Sequence, residues 1–315
     1  MTSSPLVSAV ITTYNRKKLL IESIKSVLQQ TYKNIEIIVV NDGGDKNIEQ
    51  LINSNINSNS IKYIYKENGG LSSARNTGIK ASNGSYIAFL DDDDTWYNNK
   101  IELQLNKIGN NSNYALCTSG VRVNYLLNGM HYYNYPKITN ISFDGMLLRN
   151  LIGISSCVLI KREVFDEIGY YDERLPARED YDFHIRVVRK FKVTYVNKPL
   201  VNYTIHQNPN KQMNGGTEKF KIANDILFEK YKDYYDSFDK SLLNIKYSDL
   251  YFQYSTICIN NNLKISAIKF IIKAISKNFN IKHCIVLISY LFGLRAYILL
   301  KKTLSLLIKI KPNLK

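Results

Sequence analysis

Four consecutive carboxylates, Asp91-Asp92-Asp93-Asp94, close the apolar run Tyr86-Ile87-Ala88-Phe89-Leu90. Adjacent acids repel one another unless water, a cation or hydrogen-bond donors relieve the repulsion. Asn83-Gly84 breaks the chain before this run and Trp96-Tyr97 follows it. The pattern predicts a buried strand that delivers carboxylates at its C-terminal end, where open α/β sheets bind ligands. Two readings follow from the box alone. Clustered hard oxygen donors suit Mg²⁺ or Mn²⁺, ions that partner phosphates. The other reading is a solvated acidic turn. A second cluster, Glu179-Asp180-Tyr181-Asp182, follows Arg178 and opens a helix carrying Phe183, Ile185, Val187 and Val188. Acids there could be chemical groups or could simply complement the helix dipole.

The elements that must position these acids alternate along the first half. Leu6–Ile11, Ile35–Val40, Ile61–Tyr65 and Tyr86–Leu90 read as strands. Between them, Lys17–Gln30 has helical spacing at Leu19, Leu20, Ile24, Val27 and Leu28, and Asp45 caps a helix through Leu51 and Ile52. Leu71–Ala81 forms a short helix, and Asn53–Ser60 an exposed Asn/Ser loop. Strands and helices in this order imply βαβ units and a mostly parallel, doubly wound α/β sheet. Farther on, Lys100–Ile108 is helical and Tyr114–Tyr125 is a strand with Asn128-Gly129 as a hairpin turn. Cys157–Lys161 and Val193–Val196 are strand-like, Arg162–Ile168 is helical, and Asn202–His206 leads into a polar loop through Gly216.

Composition narrows the function classes. With 315 residues the chain can bury a large core without disulfides. The four cysteines, Cys117, Cys157, Cys258 and Cys284, form no CxxC pair, which argues against a zinc site. The N-terminal residues lack the basic stretch of a signal peptide, so a cytosolic location is the default expectation. No GxGxxG follows the first strand and no P-loop occurs, which speaks against dinucleotide dehydrogenases and P-loop NTPases. The net charge of +15 is uneven: no acid follows Asp249, and eleven Lys and Arg residues lie from Lys264 to Lys315. Basic excess implies a polyanionic partner. The charges sit among long aliphatic runs rather than interleaved with aromatics on the main body, so an anionic membrane surface fits and nucleic acid does not.

Four pieces occur in order: Val10-Ile11-Thr12-Thr13-Tyr14-Asn15-Arg16, Ile38-Val39-Val40-Asn41-Asp42-Gly43, Gly70-Leu71-Ser72-Ser73-Ala74-Arg75-Asn76 and Phe89-Leu90-Asp91-Asp92-Asp93-Asp94. With Glu179-Asp180 they make residues from about Ser8 to His206 resemble a family 2 glycosyltransferase of GT-A fold. The resemblance implies a UDP-sugar donor and a Mn²⁺ or Mg²⁺ cofactor. It implies that Asp42 accepts the uracil N–H, that Thr12 and Tyr14 line the base pocket, and that Arg75 meets the diphosphate, a salt bridge from Arg75 into the acidic box being a competing but compatible reading. Asp91 and Asp93 match the family's DxD: Asp93 as the metal ligand, Asp91 contacting ribose, metal or both. Asp92 fills the variable position, and Asp94 orients the site or contacts the donor sugar. Glu179-Asp180 matches the acceptor-side pair, with Asp180 as catalytic base and Glu179 tuning it or binding acceptor hydroxyls. His206, in Tyr203-Thr204-Ile205-His206, would lie near the diphosphate or metal, the alternative being a structural histidine. The QxxRW motif of processive synthases is absent, which argues for addition of one sugar at a time.

The resemblance ends near residue 210. The chain is therefore divided into a transferase domain, residues 1–216, and a helical C-terminal region, residues 217–315, of three or more helices. Basic residues beside apolar helices describe an interfacial anchor better than a span; packed helices or a true span are the other readings. Together with the family, this resembles bacterial enzymes that extend undecaprenyl-diphosphate oligosaccharides for O-antigen, lipopolysaccharide or capsule, on the cytoplasmic face of the inner membrane. The narrowest expectation is transfer of glucose, or else galactose, in β-1,3 linkage to GlcNAc-diphospho-undecaprenol. A protein or teichoic-acid acceptor keeps the same chemistry; a non-catalytic sugar-nucleotide binder is the different-class alternative.

Overall fold

The computed structural model describes residues 4–56, 61–109, 113–126, 129–136, 141–206 and 217–310. The first three βα units are β1 (Val7–Thr13), α1 (Lys17–Leu28), β2 (Ile35–Asp42), α2 (Ile48–Asn55), β3 (Ile61–Lys66) and α3 (Gly70–Ala81). Strand β4 (Tyr86–Asp91) follows, then β5 (Thr95–Trp96), α4 (Lys100–Gly109), β6 (Tyr114–Tyr125) and β7 (His131–Asn134). After α5 (Phe143–Leu148) come β8 (Leu159–Lys161), α6 (Glu163–Ile168), α7 (Glu179–Lys190) and β9 (Lys192–Ile205). The sheet order is β3-β2-β1-β4-β8-β6-β9-β5, with β7 paired to β6.

Strands β1 to β4 are mutually parallel, as the βαβ pattern predicts. Beyond β4 the sheet is mixed: β8 is antiparallel to β4 and β6, β6 is parallel to β9, and β5 is antiparallel to β9. Both faces of β1, β2 and β4 are covered, with the period of two that a pleat imposes, whereas the edge strand β3 is half-exposed. Ala9, Ile11, Ile37, Val39, Ala88 and Leu90 pack with α1, α2 and α4. Val10, Ile38, Val40, Ile87 and Phe89 pack on the opposite face with α3, α5, α6 and α7.

Several expected boundaries move. Helix α2 continues to Asn55, so the Asn/Ser stretch is helical at its start; residues 57–60, Asn128 and residues 207–216 lie outside the described residues. Ser155–Cys157 is a 3-10 turn, leaving only Leu159–Lys161 as strand. The strand expected at Val193–Val196 runs on to Ile205 as β9, because β6 offers a ladder of matching length across irregular register.

The C-terminal helices are α8 (Thr217–Lys230), α9 (Lys232–Asp236), α10 (Lys240–Asn260), α11 (Lys264–Lys277), α12 (Ile281–Leu291) and α13 (Leu294–Ile310). The boundary expected at residue 216 precedes helices that still serve the α/β core. Ala223 and Leu227 of α8, and then Tyr231 and Tyr235, are packed into the same cluster as β1, β2 and β4. A separate apolar cluster begins with Cys258 and holds Ala267, Ile271, Ala274, Val286, Tyr290 and Tyr297. Ile298 of α13 then returns to the sheet, packing with Val123, Tyr125 and Ile205 at the end of β9. Among the described residues no helix is long and apolar enough to cross a membrane.

Candidate active site

The parallel register brings three chain segments to one sheet edge. Thr12 pairs with Val40 on one side and with Asp91 on the other. The carboxyl ends of β1, β2 and β4 therefore present Thr12, Asp42 and Asp91 together, where the strand order reverses around β1.

The acidic box is not a solvated turn. Asp92 is 4% exposed and Asp94 is 0% exposed. Each buried acid has its own donors. Asp92 accepts from Thr13 Oγ1 at 2.7 Å and from Arg16 Nη1 at 3.0 Å. Burial pushes Asp92 up to about 7, against the pull of Arg16. Asp94 accepts from Ser156 Oγ at 2.7 Å and from the backbone N–H of Thr204 at 3.2 Å. Burial, with Asp93 and Asp91 adding like charge, holds Asp94 well above the carboxylate range. Of its two expected roles, this position behind the box suits orienting the turn. Arg16 Nη1 also reaches Asp93 Oδ2 at 2.5 Å.

The second acidic cluster meets the first through Arg75. That guanidinium is 2% exposed. Its Nη2 lies 2.7 Å from Asp91 Oδ1 and its Nη1 lies 2.5 Å from Glu179 Oε1. The ring of Tyr171 lies beneath it, 5.5 Å from centroid to guanidinium carbon. Burial opposes the charge on Arg75, but Asp91 and Glu179 outweigh it and raise its pKa. Arg75 reaches this point because α3 lies almost against β1. A Cβ built on Gly78 would clash with Val10 Cγ1, so only glycine permits that approach.

Glu179 and Asp180 open α7 after Arg178, which sits in the left-handed region at φ +61°. Glu179 is buried, whereas Asp180 is half-buried and accepts from the backbone N–H of Tyr181 at 2.6 Å. Desolvation, then the charge of Glu179, pushes Asp180 up to about 7, with Arg75 pulling the other way. A carboxylate with such a pKa can take up a proton near neutral pH.

On the donor side, Asp42 Oδ1 accepts from Lys66 Nζ at 2.8 Å and from Gly69 N at 3.0 Å, and Oδ2 accepts from Gly70 N at 2.9 Å. Its carboxylate thus holds the start of α3, with lone pairs left for one further donor. Thr12 is buried beside it and Tyr14 stands exposed on the rim. Composition and spacing did not single out Arg16 or Ser156. Arg16 is the last residue of the first motif, which is the one signal for it in the sequence; Ser156 carried none.

The fit of a divalent ion can be judged from His206. This buried residue points Nε2 at Asp93 Oδ2, 3.1 Å away, without the alignment of a hydrogen bond, and Nε2 has no hydrogen-bond partner. An imidazole nitrogen and a carboxylate converging with neither donating suit a shared cation. Among the described residues no three His, Cys, Asp or Glu side chains form a ready-made cage. Mg²⁺ and its relatives need none, because they bind through one or two carboxylates, water and substrate phosphates. The residues present therefore fit such an ion, with Asp93 and His206 closest and Asp91 turned toward Arg75.

The fold is that of a GT-A glycosyltransferase. It resembles crystal structures of S. aureus TarS; for residues 1–349 of TarS the TM-score is 0.51 at 15% identity, covering 86% of this chain and 88% of that one. Residues 8–169 match the family model "Glycosyl transferase family 2". The chain belongs to that glycosyltransferase family. It is 36% identical over 249 residues to the uncharacterized glycosyltransferase RP339 of Rickettsia prowazekii (strain Madrid E), covering 76% of this chain and 73% of RP339. It is 28% identical over 260 residues to WcaA of Escherichia coli (strain K12), a protein named for colanic acid biosynthesis, covering 80% and 89% of the two chains. Against a longer Rickettsia bellii relative, 36% identical, the match spans only 30% of that protein's length.

Proposed function

We propose that this glycosyltransferase is an inverting, metal-dependent enzyme that moves one hexose from a UDP-sugar to a saccharide carried on a lipid diphosphate. The observation that carries the reading is Arg75 joining Asp91 of the donor-side box to Glu179 of the acceptor-side pair. An in-line displacement needs a leaving-group side and a base side, and here two acidic clusters stand on either side of one cation.

In this reading Thr12, Tyr14 and Asp42 hold the uracil and Arg75 faces the diphosphate. Asp94 fixes the turn that presents Asp91 and Asp93. A divalent ion on Asp93, His206 and Asp91 would supply charge neutralisation for the departing nucleoside diphosphate. Asp180 takes the acceptor hydroxyl proton as that oxygen bonds to the anomeric carbon, while the carbon–oxygen bond to UDP breaks. Burial, aided by the charge of Glu179, which is locked to Arg75, pushes Asp180 up to about 7.

Uridine nucleotides are supported by TarS, whose structures include complexes with UDP and UDP-GlcNAc. A saccharide acceptor is supported by the name of WcaA. We take UDP-glucose first and UDP-galactose second, with β-1,3 transfer to GlcNAc-diphospho-undecaprenol in O-antigen, lipopolysaccharide or capsule synthesis. The enzyme would then work at the cytoplasmic face of the inner membrane, with the basic helices from Lys264 onward on the lipid side.

The test offers UDP-glucose, UDP-galactose, UDP-GlcNAc and UDP-GalNAc with Mn²⁺ and a synthetic GlcNAc-diphospho-lipid. Transfer from one donor, abolished by EDTA and by Asp93→Ala, is the expected result. Donor binding with no transfer would reject the acceptor; no donor binding at all would reject the site.

A further inference from the structure

Helix α12 has its faces inverted relative to a helix that ends at water. It buries Val286, Ser289 and Tyr290 against the bundle. It turns Ile281, Ile285, Ile288, Leu291 and, just past its end, Phe292 to the outside, at successive steps of four, three, three and one residues. Those steps trace one stripe along the whole helix. Ile288 is 57% exposed and Phe292 is 77% exposed. Ile265, at the start of α11, continues the patch, because Lys264 Nζ donates to Leu291 O at 2.7 Å and so ties that end of α11 to the end of α12.

The charges beside the stripe have one sign. Lys264, Lys269, Lys282 and Arg295 are exposed, and no acidic residue follows Asp249. A water-facing surface would interleave acids with these cations. A partner that supplies both hydrocarbon and negative charge is an anionic phospholipid surface. The helix has 11 residues; at about 1.5 Å per residue it reaches about 16 Å, against a hydrocarbon core of about 30 Å. It can lie in the interface plane and cannot span.

We infer that the outer face of α12, with the adjoining end of α11, is the surface by which this enzyme docks on anionic bilayers. The inference deepens the membrane-side reading above by naming the face and the lipid class. It also bears on the site, since Ile298 of the next helix packs on Ile205, the residue before His206.

The test uses the full chain without donor, acceptor or metal, so its outcome is independent of the transfer reaction. Flotation with vesicles of mixed phosphatidylglycerol and phosphatidylcholine is compared with vesicles of phosphatidylcholine alone. Binding to the mixed vesicles alone, weakened by salt, is expected. The double variant Ile288→Asn, Phe292→Ser should bind about tenfold or more weakly, with an unchanged melting temperature. The variant Ile222→Asn, which alters an exposed apolar residue on α8, should bind like the parent. For Phe292→Trp, quenching by lipids brominated in the acyl chains should report insertion. Undiminished flotation of the double variant, equal binding to neutral vesicles, or absence of quenching would overturn the proposal. So would a stable dimer in sedimentation that the double variant dissociates, since the stripe would then face a second copy.

Discussion

The two ends of the molecule handle charge in opposite ways. At the carboxyl edge of β1, β2 and β4, charges of both signs are buried or half-buried and paired, with Arg75 between Asp91 and Glu179 and Arg16 on Asp92 and Asp93. From α11 to α13 most of the described cations stay exposed, with Lys301 half-buried among aromatic rings; none has an acid in its own stretch of chain, and large apolar side chains lie open beside them. Buried ion pairs are costly to form and very costly to break singly, so they persist where fixed geometry is required. Exposed cations of one sign add little to stability and leave their neutralisation to something outside the chain. The first region is complete in itself as a scaffold for chemistry; the second is shaped for a partner.

The comparison can be broken by substitution. The largest effect should be on turnover: Asp180→Asn should lower kcat by about 10²- to 10⁴-fold while leaving UDP-sugar binding intact. Burial, then the charge of Glu179, pushes Asp180 up to about 7, with Arg75 and Arg178 pulling the other way. A base must be ionised, so the rate should fall as pH drops through about 7 and level off above it. Equal rates at low and neutral pH would remove Asp180 from the role of base.

Next in size is stability. Arg75→Leu strands Asp91 and Glu179 without their shared cation and should cost about 3–5 kcal/mol, read by urea unfolding. A loss under about 1 kcal/mol would mean that the pair contributes no more than a surface salt bridge. Gly78→Ala forces α3 off Val10 and should cost about 1–3 kcal/mol, with weaker donor binding because Arg75 rides on that helix. Normal stability with normal binding would show that α3 has room to shift.

The smallest effect sharpens the contrast. Ile288→Asn replaces a large apolar residue as drastically as any core change, yet it should alter unfolding free energy by no more than about 0.5 kcal/mol. A larger loss would show that the α12 stripe is covered within the folded chain.

Sequence and structure agree most closely where the backbone period is clean. Strand β6 has the limits that its apolar pattern predicts, and the parallel half of the sheet follows from four strands alternating with helices. Agreement fails where pairing partners set the element. Strand β9 runs on well past the short apolar run at Val193–Val196 because β6 lies alongside it. Helices α8 and α9 sit in the α/β core although composition changes at Thr217, since composition reports solvent and charge preferences and not which face a helix finds.

The sequence by itself determined the family, the parallel half of the sheet, the identity of both acidic clusters and the basic, acid-free C-terminal stretch, because each is a local pattern of residue types. Tertiary structure alone decided how those pieces combine. Arg75 and Glu179 are 104 positions apart, and His206 lies far along the chain from Asp93; only the folding of β4, α3, α7 and β9 to one edge brings them into contact. It also decided that Asp92 and Asp94 are buried while Asp91 and Asp93 face the site, since four identical side chains in a row acquire different roles only from what packs around them.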